Sequence, residues 1–370
     1  MSSCISAIGT ANPKHRIKQS SILEFMTRAF GLDQNNALRL KKIYDHSGID
    51  YRYSVIPDFG EENFDNHKFF AKNATLEPFP CTQLRLKLYQ HSAAEIATEA
   101  AQNCLQLLPE LSPSHITHLI TVSCTGMHAP GIDIELVEKL GLNRNIERTC
   151  INFMGCYGAI NALKVADYIC RATDDATVLV VCIELCTLHF QKENTLDNWV
   201  ANSLFSDGAA AVIIEKSHQT GNPGSSLKLK TFYSEFVPEA HQEMGWYVGN
   251  MGFEMKLTSK VSKMIRNHIA PISDKLLKKA ELSLQDIGSF AVHPGGKKIL
   301  EASETALGIP EKANLFAYDT LRDYGNMSSA TVLYVLKKTM EDSRATQGEN
   351  IMSFAFGPGL TVESLILQRN

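Results

Sequence analysis

Short apolar runs and longer stretches of helical spacing alternate along most of the chain. Residues 116–122 (ITHLITV) read as a buried strand, 133–140 as a helix and 148–153 as a second strand. Between 157 and 172 the apolar positions Ile160, Leu163, Val165, Ala166 and Ile169 recur at the spacing of one helix face. Residues 176–183 are rich in β-branched side chains and predict a strand, as do 209–214. The polar segment 216–226 (KSHQTGNPGSS) breaks the pattern with Gly and Pro and is the best candidate boundary. Beyond it the alternation resumes, with a strand near 227–234, helices across 260–279 and a strand at 287–292. A helix at 332–342 and strands at 350–356 and 361–367 complete it. Such alternation is the signature of an α/β fold. With 370 residues the chain has room for two domains or two fused halves, placed here at 1–216 and 217–370.

Composition and charge narrow the function classes. Hydrophobic residues make up 44% and charged residues 21%, which supports a sizeable core. A net charge of -4 provides no basic field for nucleic acid. The apolar run 178–183 is too short to span a bilayer and ends at Glu184. No secretion signal is visible near Met1, and no basic cluster flanks an amphipathic anchor, so a cytoplasmic protein without membrane attachment is expected. The nine cysteines are odd in number, form no CxxC pair and match no zinc template. Neither a disulfide framework nor a metal site is expected, and most of these thiols should be small buried hydrophobes.

Three segments carry candidate chemistry. In Asn152-Phe153-Met154-Gly155-Cys156-Tyr157-Gly158-Ala159 a cysteine stands between a predicted strand and a long helix. A helix N-terminus favours an anion, so a thiolate is stabilised there. In Phe290-Ala291-Val292-His293-Pro294-Gly295-Gly296 a histidine ends a strand, and in Tyr324-Gly325-Asn326-Met327-Ser328-Ser329-Ala330 an asparagine sits in a turn that opens a helix. Each alone reads more simply as a buried Cys, a turn His or an N-cap. Together they supply a nucleophile, a base or cation, and a neutral amide donor. A thiolate paired with an imidazolium attacks thioesters. His and Asn donors on a thioester oxygen stabilise the enolate formed when malonyl-CoA loses carbon dioxide. A carboxylate in place of Asn326 would repel that enolate.

With these segments in place, the chain resembles the chalcone synthase-like (type III) polyketide synthases over nearly its whole length. The similarity runs through Ala7-Ile8-Gly9-Thr10-Ala11-Asn12-Pro13, Asp45-His46-Ser47-Gly48-Ile49 with Arg52-Tyr53, and Leu204-Phe205-Ser206-Asp207-Gly208-Ala209-Ala210-Ala211. It closes with Phe356-Gly357-Pro358-Gly359-Leu360-Thr361-Val362-Glu363, where Ala355 replaces the first glycine of the family's Gly-Phe-Gly-Pro-Gly loop. The resemblance implies a thiolase-like five-layered αβαβα fold of two similar halves, a homodimer, and catalysis without a cofactor on malonyl-CoA and an acyl-CoA starter. It implies that Cys156 carries the acyl group, with His293 and Asn326 as its catalytic partners. By the same resemblance Phe205 and Phe253 wall the junction of CoA tunnel and cavity, Gly357 and Pro358 belong to the substrate loop, and Arg39, Lys42 and His46 face the CoA phosphates. The spacing of those three puts them on one face of a predicted helix. A solvated charged face explains that spacing equally well.

Departures from the family pattern bear on the substrate. Thr125, Ala129 and Cys186 resemble the small residues lining an acyl tunnel in bacterial long-chain alkylpyrone synthases. Ala129 stands where plant chalcone synthases have a methionine that reaches the partner's cavity. His189 and Met244 replace smaller cavity residues and should narrow the elongation pocket. A fatty acyl starter with a short polyketide, closed to a pyrone or resorcinol-type product, is expected. A thiolase needs a second cysteine in its C-terminal half, and none follows Cys186. Elongating ketosynthases use a second histidine where Asn326 stands. The initiating ketoacyl synthase (type III) shares Cys-His-Asn and is the main rival; a non-catalytic protein of the same fold is the other.

Overall fold

The computed structural model describes residues 3–216 and 226–370, so the candidate boundary at 217–225 lies outside the described residues. The strands are β1 (Ser3–Ala11), β2 (His15–Lys18), β3 (Tyr51–Ser54), β4 (His118–Ser123), β5 (Glu147–Asn152), β6 (Thr177–Leu185), β7 (Asp207–Lys216), β8 (Leu227–Phe236), β9 (Met244–Gly249), β10 (Gly252–Leu257), β11 (Ile287–Val292), β12 (Asn350–Gly357) and β13 (Thr361–Arg369). The α-helices are α1 (Gln19–Ala29), α2 (Gln34–Asp45), α3 (Thr82–Leu105), α4 (Ile132–Leu140), α5 (Gly158–Ala172), α6 (Leu196–Leu204), α7 (Val261–Ala280), α8 (Lys297–Leu307), α9 (Leu315–Tyr324) and α10 (Thr331–Met340).

Among the described residues, nine strands form one sheet in the order β11-β12-β13-β8-β1-β7-β6-β4-β5. Read inward from each edge, β4-β6-β7-β1 and β11-β12-β13-β8 repeat the same arrangement. Each begins with a parallel pair and continues antiparallel, and β5 extends the first half alone. A single short antiparallel contact, Cys4 opposite Lys228 and Ile5 opposite Leu227, joins the halves. The central helices α5 and α10 touch strands of both halves. Helix α3 covers the outer face of the first half, and α7 covers that of the second. This is the five-layered αβαβα arrangement of the thiolase fold.

The physical reason for the central layer lies in α5. Its residues Gly158 to Leu163 are all buried, as a helix sandwiched between two sheets requires. Helix α3 carries no strong apolar stripe; its buried face is Ala93, Ala97, Ala100, Ala101 and Cys104. Small side chains let it lie close on β1. A Cβ at Gly9 would stand 2.2 Å from the Cys104 backbone nitrogen, so the approach demands glycine there. The predicted helical region at 260–279 is one continuous helix with Pro271 inside it.

Candidate active site

Cys156 lies in a single 3-10 turn, Gly155–Tyr157, that leads directly into α5. The turn is tightly constrained. Gly155 has φ +75°, and a Cβ on it would meet Pro358 Cδ at 2.4 Å. Phe153 and Ser328, both non-glycine, hold φ values of 57° and 46° on the two segments that flank the thiol. Backbone strain of this kind persists only where surrounding packing enforces it. His293 follows β11, and its backbone N–H donates to Phe354 O at 2.7 Å on the parallel neighbour β12. Asn326 is fixed by a parallel bridge to Phe205: its N–H donates to Leu204 O and its carbonyl accepts from Ser206 N–H, both at 2.9 Å. Its side-chain Oδ1 accepts from Ser328 N–H at 2.9 Å, and Nδ2 lies 3.3 Å from Gly295 O.

Three segments, 137 and 33 residues apart along the chain, thus meet. Cys156, His293, Asn326, Phe205 and Met244 line one cavity of about 430 Å³. Burial pushes the Cys156 thiol up to about 12 against the lowering contacts of Ser328 and Asn326. Burial likewise pushes His293 down to about 3, and both its ring nitrogens lack partners. Burial alone therefore opposes charge on each of these two groups. Each group alone is held neutral, and only joint proton transfer from Sγ to the imidazole yields two charges whose attraction offsets their desolvation.

The mouth of this cavity is basic. Lys42 and His46 line it, as do Lys297 and Lys298 in the first turn of α8. Arg39 is not part of the mouth: it is exposed, its Nη1 lies 3.3 Å from Asn36 Oδ1, and its guanidinium sits 5.9 Å from the Trp199 ring centre. One turn of helix separates it from Lys42, which is enough to aim it elsewhere. The lysines of α8 went unnoticed because a Lys-Lys pair after a glycine turn reads as an ordinary solvated helix start.

A second cavity, of about 70 Å³, opens on the other side of Cys156. Thr125, Cys186, His189, Met244, Phe205 and Pro358 line it, and it reaches Ile22 and Met26 of α1 with Phe59 and Phe190. Three expected residues stand elsewhere. Ala129 is exposed on its loop and borders neither cavity of this chain, because the loop turns outward after Thr125. Gly357 is buried against the Tyr157 ring instead of the cavity. Phe253 is buried one layer back, stacked on His189 at 4.2 Å between centroids with planes 4° apart.

Sequence reasoning also missed Glu184. It sits near the end of β6, fully buried, and joins the loop after β4 to the turn before α10. It accepts from Cys124 N–H at 2.9 Å, Thr125 Oγ1 at 2.8 Å and Ser329 Oγ at 2.5 Å. A carboxylate inside an otherwise unbroken buried strand was the available signal. Burial outweighs these donors and raises its carboxyl to about 7. The unfolded chain ionises Glu184 nearer the ordinary value of 4.5, so its contribution is fully present below that pH and is lost as pH rises toward 7. Glu184→Gln should remove this loss. Melting curves at pH 5 and pH 8 are expected to show a smaller fall in Tm for the variant than for the parent; an equal fall would show that Glu184 titrates normally.

All nine cysteines are free, seven of them buried. Among the described residues no three His, Cys, Asp or Glu side chains gather to hold a metal ion, and no helix is long and apolar enough to cross a membrane.

Comparison with known proteins identifies the family. The N-terminal domain of chalcone and stilbene synthases matches residues 2–217, and the C-terminal domain of the same enzymes matches 228–369. The chain is 30% identical over 365 residues to the "Alpha-pyrone synthesis polyketide synthase-like Pks18" of Mycobacterium tuberculosis, covering 98% of this chain and 90% of that one. The C-terminal type III polyketide synthase domain of Steely1, from Dictyostelium, superposes with a TM-score of 0.91 at 28% identity, over 100% of this chain and 99% of the other. PKS-I of the brown alga Ectocarpus siliculosus gives 0.92 at 28% identity, over 100% and 98%. Two joined domain matches and whole-length structural agreement place this chain in the chalcone and stilbene synthase family, as an enzyme of the type III polyketide synthase kind.

Proposed function

We propose that the chain extends an acyl-CoA starter with malonyl-CoA and releases a pyrone or resorcinol-type product. The observation that supports this reading is the convergence of Cys156, His293 and Asn326 on one cavity with a basic mouth. Lys42, His46, Lys297 and Lys298 meet the CoA phosphates, and the thioester reaches inward to Cys156. As Sγ attacks the starter's carbonyl, its proton passes to His293, and CoA leaves as the free thiol once it takes that proton. Malonyl-CoA then binds in the same mouth. His293 and the Asn326 amide donate to its thioester oxygen while carbon dioxide departs with its bonding electrons left on the α-carbon. That enolate carbon attacks the Cys156 thioester, forms a carbon–carbon bond and expels the sulfur, which is ready for another cycle. No cofactor enters these steps. The protein works as a cytoplasmic homodimer in this reading.

The starter is a medium- or long-chain fatty acyl group. Thr125 and Cys186 leave the smaller cavity open, and its far end at Ile22, Met26, Phe59 and Phe190 is apolar. The mycobacterial relative's name, which specifies α-pyrone synthesis, supports the product class. A buried methylene contributes about 0.8 kcal/mol, so preference should rise about fourfold per added methylene until the space is full. Cys186→Phe is expected to move the optimum to shorter chains with malonyl-CoA decarboxylation unchanged. Turnover with starters from butanoyl- to hexadecanoyl-CoA, with products read by mass spectrometry, tests both the activity and the starter. An acetyl or aromatic optimum with no gain from chain length would refute the fatty starter. Consumption of malonyl groups only from a carrier protein would favour an initiating ketoacyl synthase instead.

A further inference from the structure

Three thiols line the smaller cavity: Cys124, Cys156 and Cys186. The acyl chemistry uses only Cys156. Cys124 is seated against the turn that carries this nucleophile. Gly155 N–H donates to Cys124 Sγ at 3.0 Å, and the same sulfur lies 3.8 Å from Gly155 O. Successive Cα atoms stand about 3.8 Å apart, so the Cys124 sulfur lies one residue step from Cys156. The Cys124 backbone is pinned on both sides. Its N–H donates to Glu184 at 2.9 Å, and its carbonyl accepts from Trp246 Nε1–H at 2.7 Å. Cys186 opens the turn after β6, and among the described residues its sulfur has no comparable bond to residues 155–157. Burial pushes the Cys124 thiol well above its ordinary range, so it rests neutral and does not compete with Cys156 for the starter. A neutral neighbouring thiol can still attack a sulfur made electrophilic by oxidation.

We infer that Cys124 is the resolving thiol of Cys156: when a hydroperoxide oxidises the nucleophile, the two close an intramolecular disulfide that switches acyl loading off and keeps the sulfur recoverable. His293 first takes the Cys156 proton, and Sγ attacks one peroxide oxygen. The O–O bond breaks, and the departing hydroxide or alkoxide takes the proton back from His293. Cys156 is left as a sulfenic acid. Cys124 Sγ then attacks that sulfur, the S–S bond forms, the S–O bond breaks, and hydroxide leaves as water with the Cys124 proton. The two thiols give up two electrons and the hydroperoxide gains them. Without a resolving thiol, a sulfenic acid proceeds to sulfinic acid, which thiols do not reduce. The cavity of about 430 Å³ in front of Cys156 admits so small an oxidant. The loss of activity rests on Cys156 as the acyl acceptor; the cross-link does not.

The full chain is treated with hydrogen peroxide, its remaining thiols are blocked with N-ethylmaleimide, and its peptides are mapped without reduction. A second portion receives dithiothreitol and is assayed for acyl loading against its own untreated value. The parent should give a Cys124–Cys156 cross-linked peptide, lose loading, and regain it with dithiothreitol. In Cys124→Ser the same treatment should leave Cys156 as sulfinic acid, and dithiothreitol should restore nothing. Cys186→Ala should recover as the parent does. A parent cross-link from Cys156 to Cys186, or no cross-link at Cys156, overturns the proposal. Recovery of Cys124→Ser equal to the parent's does the same. Where Cys124→Ser fails to load before oxidation, the parent's peptide map, with the sulfinic acid content of Cys156 in Cys124→Ala, carries the test. A Cys124–Cys156 cross-link with loading undiminished would instead overturn Cys156 as the acyl acceptor.

Discussion

Cys156→Ala is expected to abolish both acyl loading and condensation while leaving some malonyl-CoA decarboxylation. The thiol is the group that the turn before α5 presents to both cavities at once. Removing a covalent nucleophile from an acyl-transfer enzyme costs on the order of 10⁶ in kcat. The enolate donors, His293 and Asn326, reside on other segments and do not depend on the sulfur for their placement: β11 and β12 hold the first, and the Phe205 bridge holds the second. Intact-protein mass after incubation with an acyl-CoA reads loading directly. Because Cys150 is exposed and can also react, the acyl group must be located on the Cys156 peptide. Condensation product still formed by the alanine variant would reject Cys156 as the carrier.

The alternation of apolar runs with helical spacing is visible in the chain because most of the large sheet's strands are buried on both faces. β4, β7 and β12 read as near-continuous hydrophobic runs, and β11 matches its expected limits. What escaped was whatever lacks that contrast. Helix α3 buries alanines, which carry little hydrophobic signal, and the β9–β10 hairpin is half exposed, with Tyr247 and Val248 turned to solvent. The same division holds in the site. Cys156, His293 and Asn326 were legible because their turn residues mark strand and helix ends, and parallel pairing brings such ends together. Their ionisation was not, since it depends on the depth of burial that only packing creates. Lys297 and Lys298 differ from any surface lysine only in facing the mouth. His189 was read as a bulky wall residue; the bonds on its two nitrogens come from partners 64 positions away on either side.

Asn326→Ala is expected to slow malonyl-CoA decarboxylation by about 10²–10³, the usual loss for one oxyanion donor, with starter loading close to normal. The structure orients the amide for this task. Its Oδ1 is occupied by Ser328 N–H and lies 3.4 Å from the Thr331 hydroxyl, so the carbonyl end faces the start of α10. The NH₂ end is left toward Gly295 O, next to His293 on the turn that borders the cavity. One N–H is thereby steadied at 3.3 Å, and the amide also contacts Cys156, so its donor end faces the place where a thioester oxygen would lie. Asn326→Asp sharpens the test. The carboxylate keeps the acceptor contacts to Ser328 and Thr331, so the local fold survives, but it cannot donate and its charge opposes the enolate. A structural role predicts that Asp rescues what Ala loses. An electrostatic role predicts that Asp is at least as damaging as Ala. Decarboxylation is read as acetyl-CoA formed from malonyl-CoA, and loading as acyl mass on Cys156. Rescue by aspartate, or equal loss of both steps, would remove Asn326 from the chemistry and leave it as a scaffold residue of the Phe205 bridge.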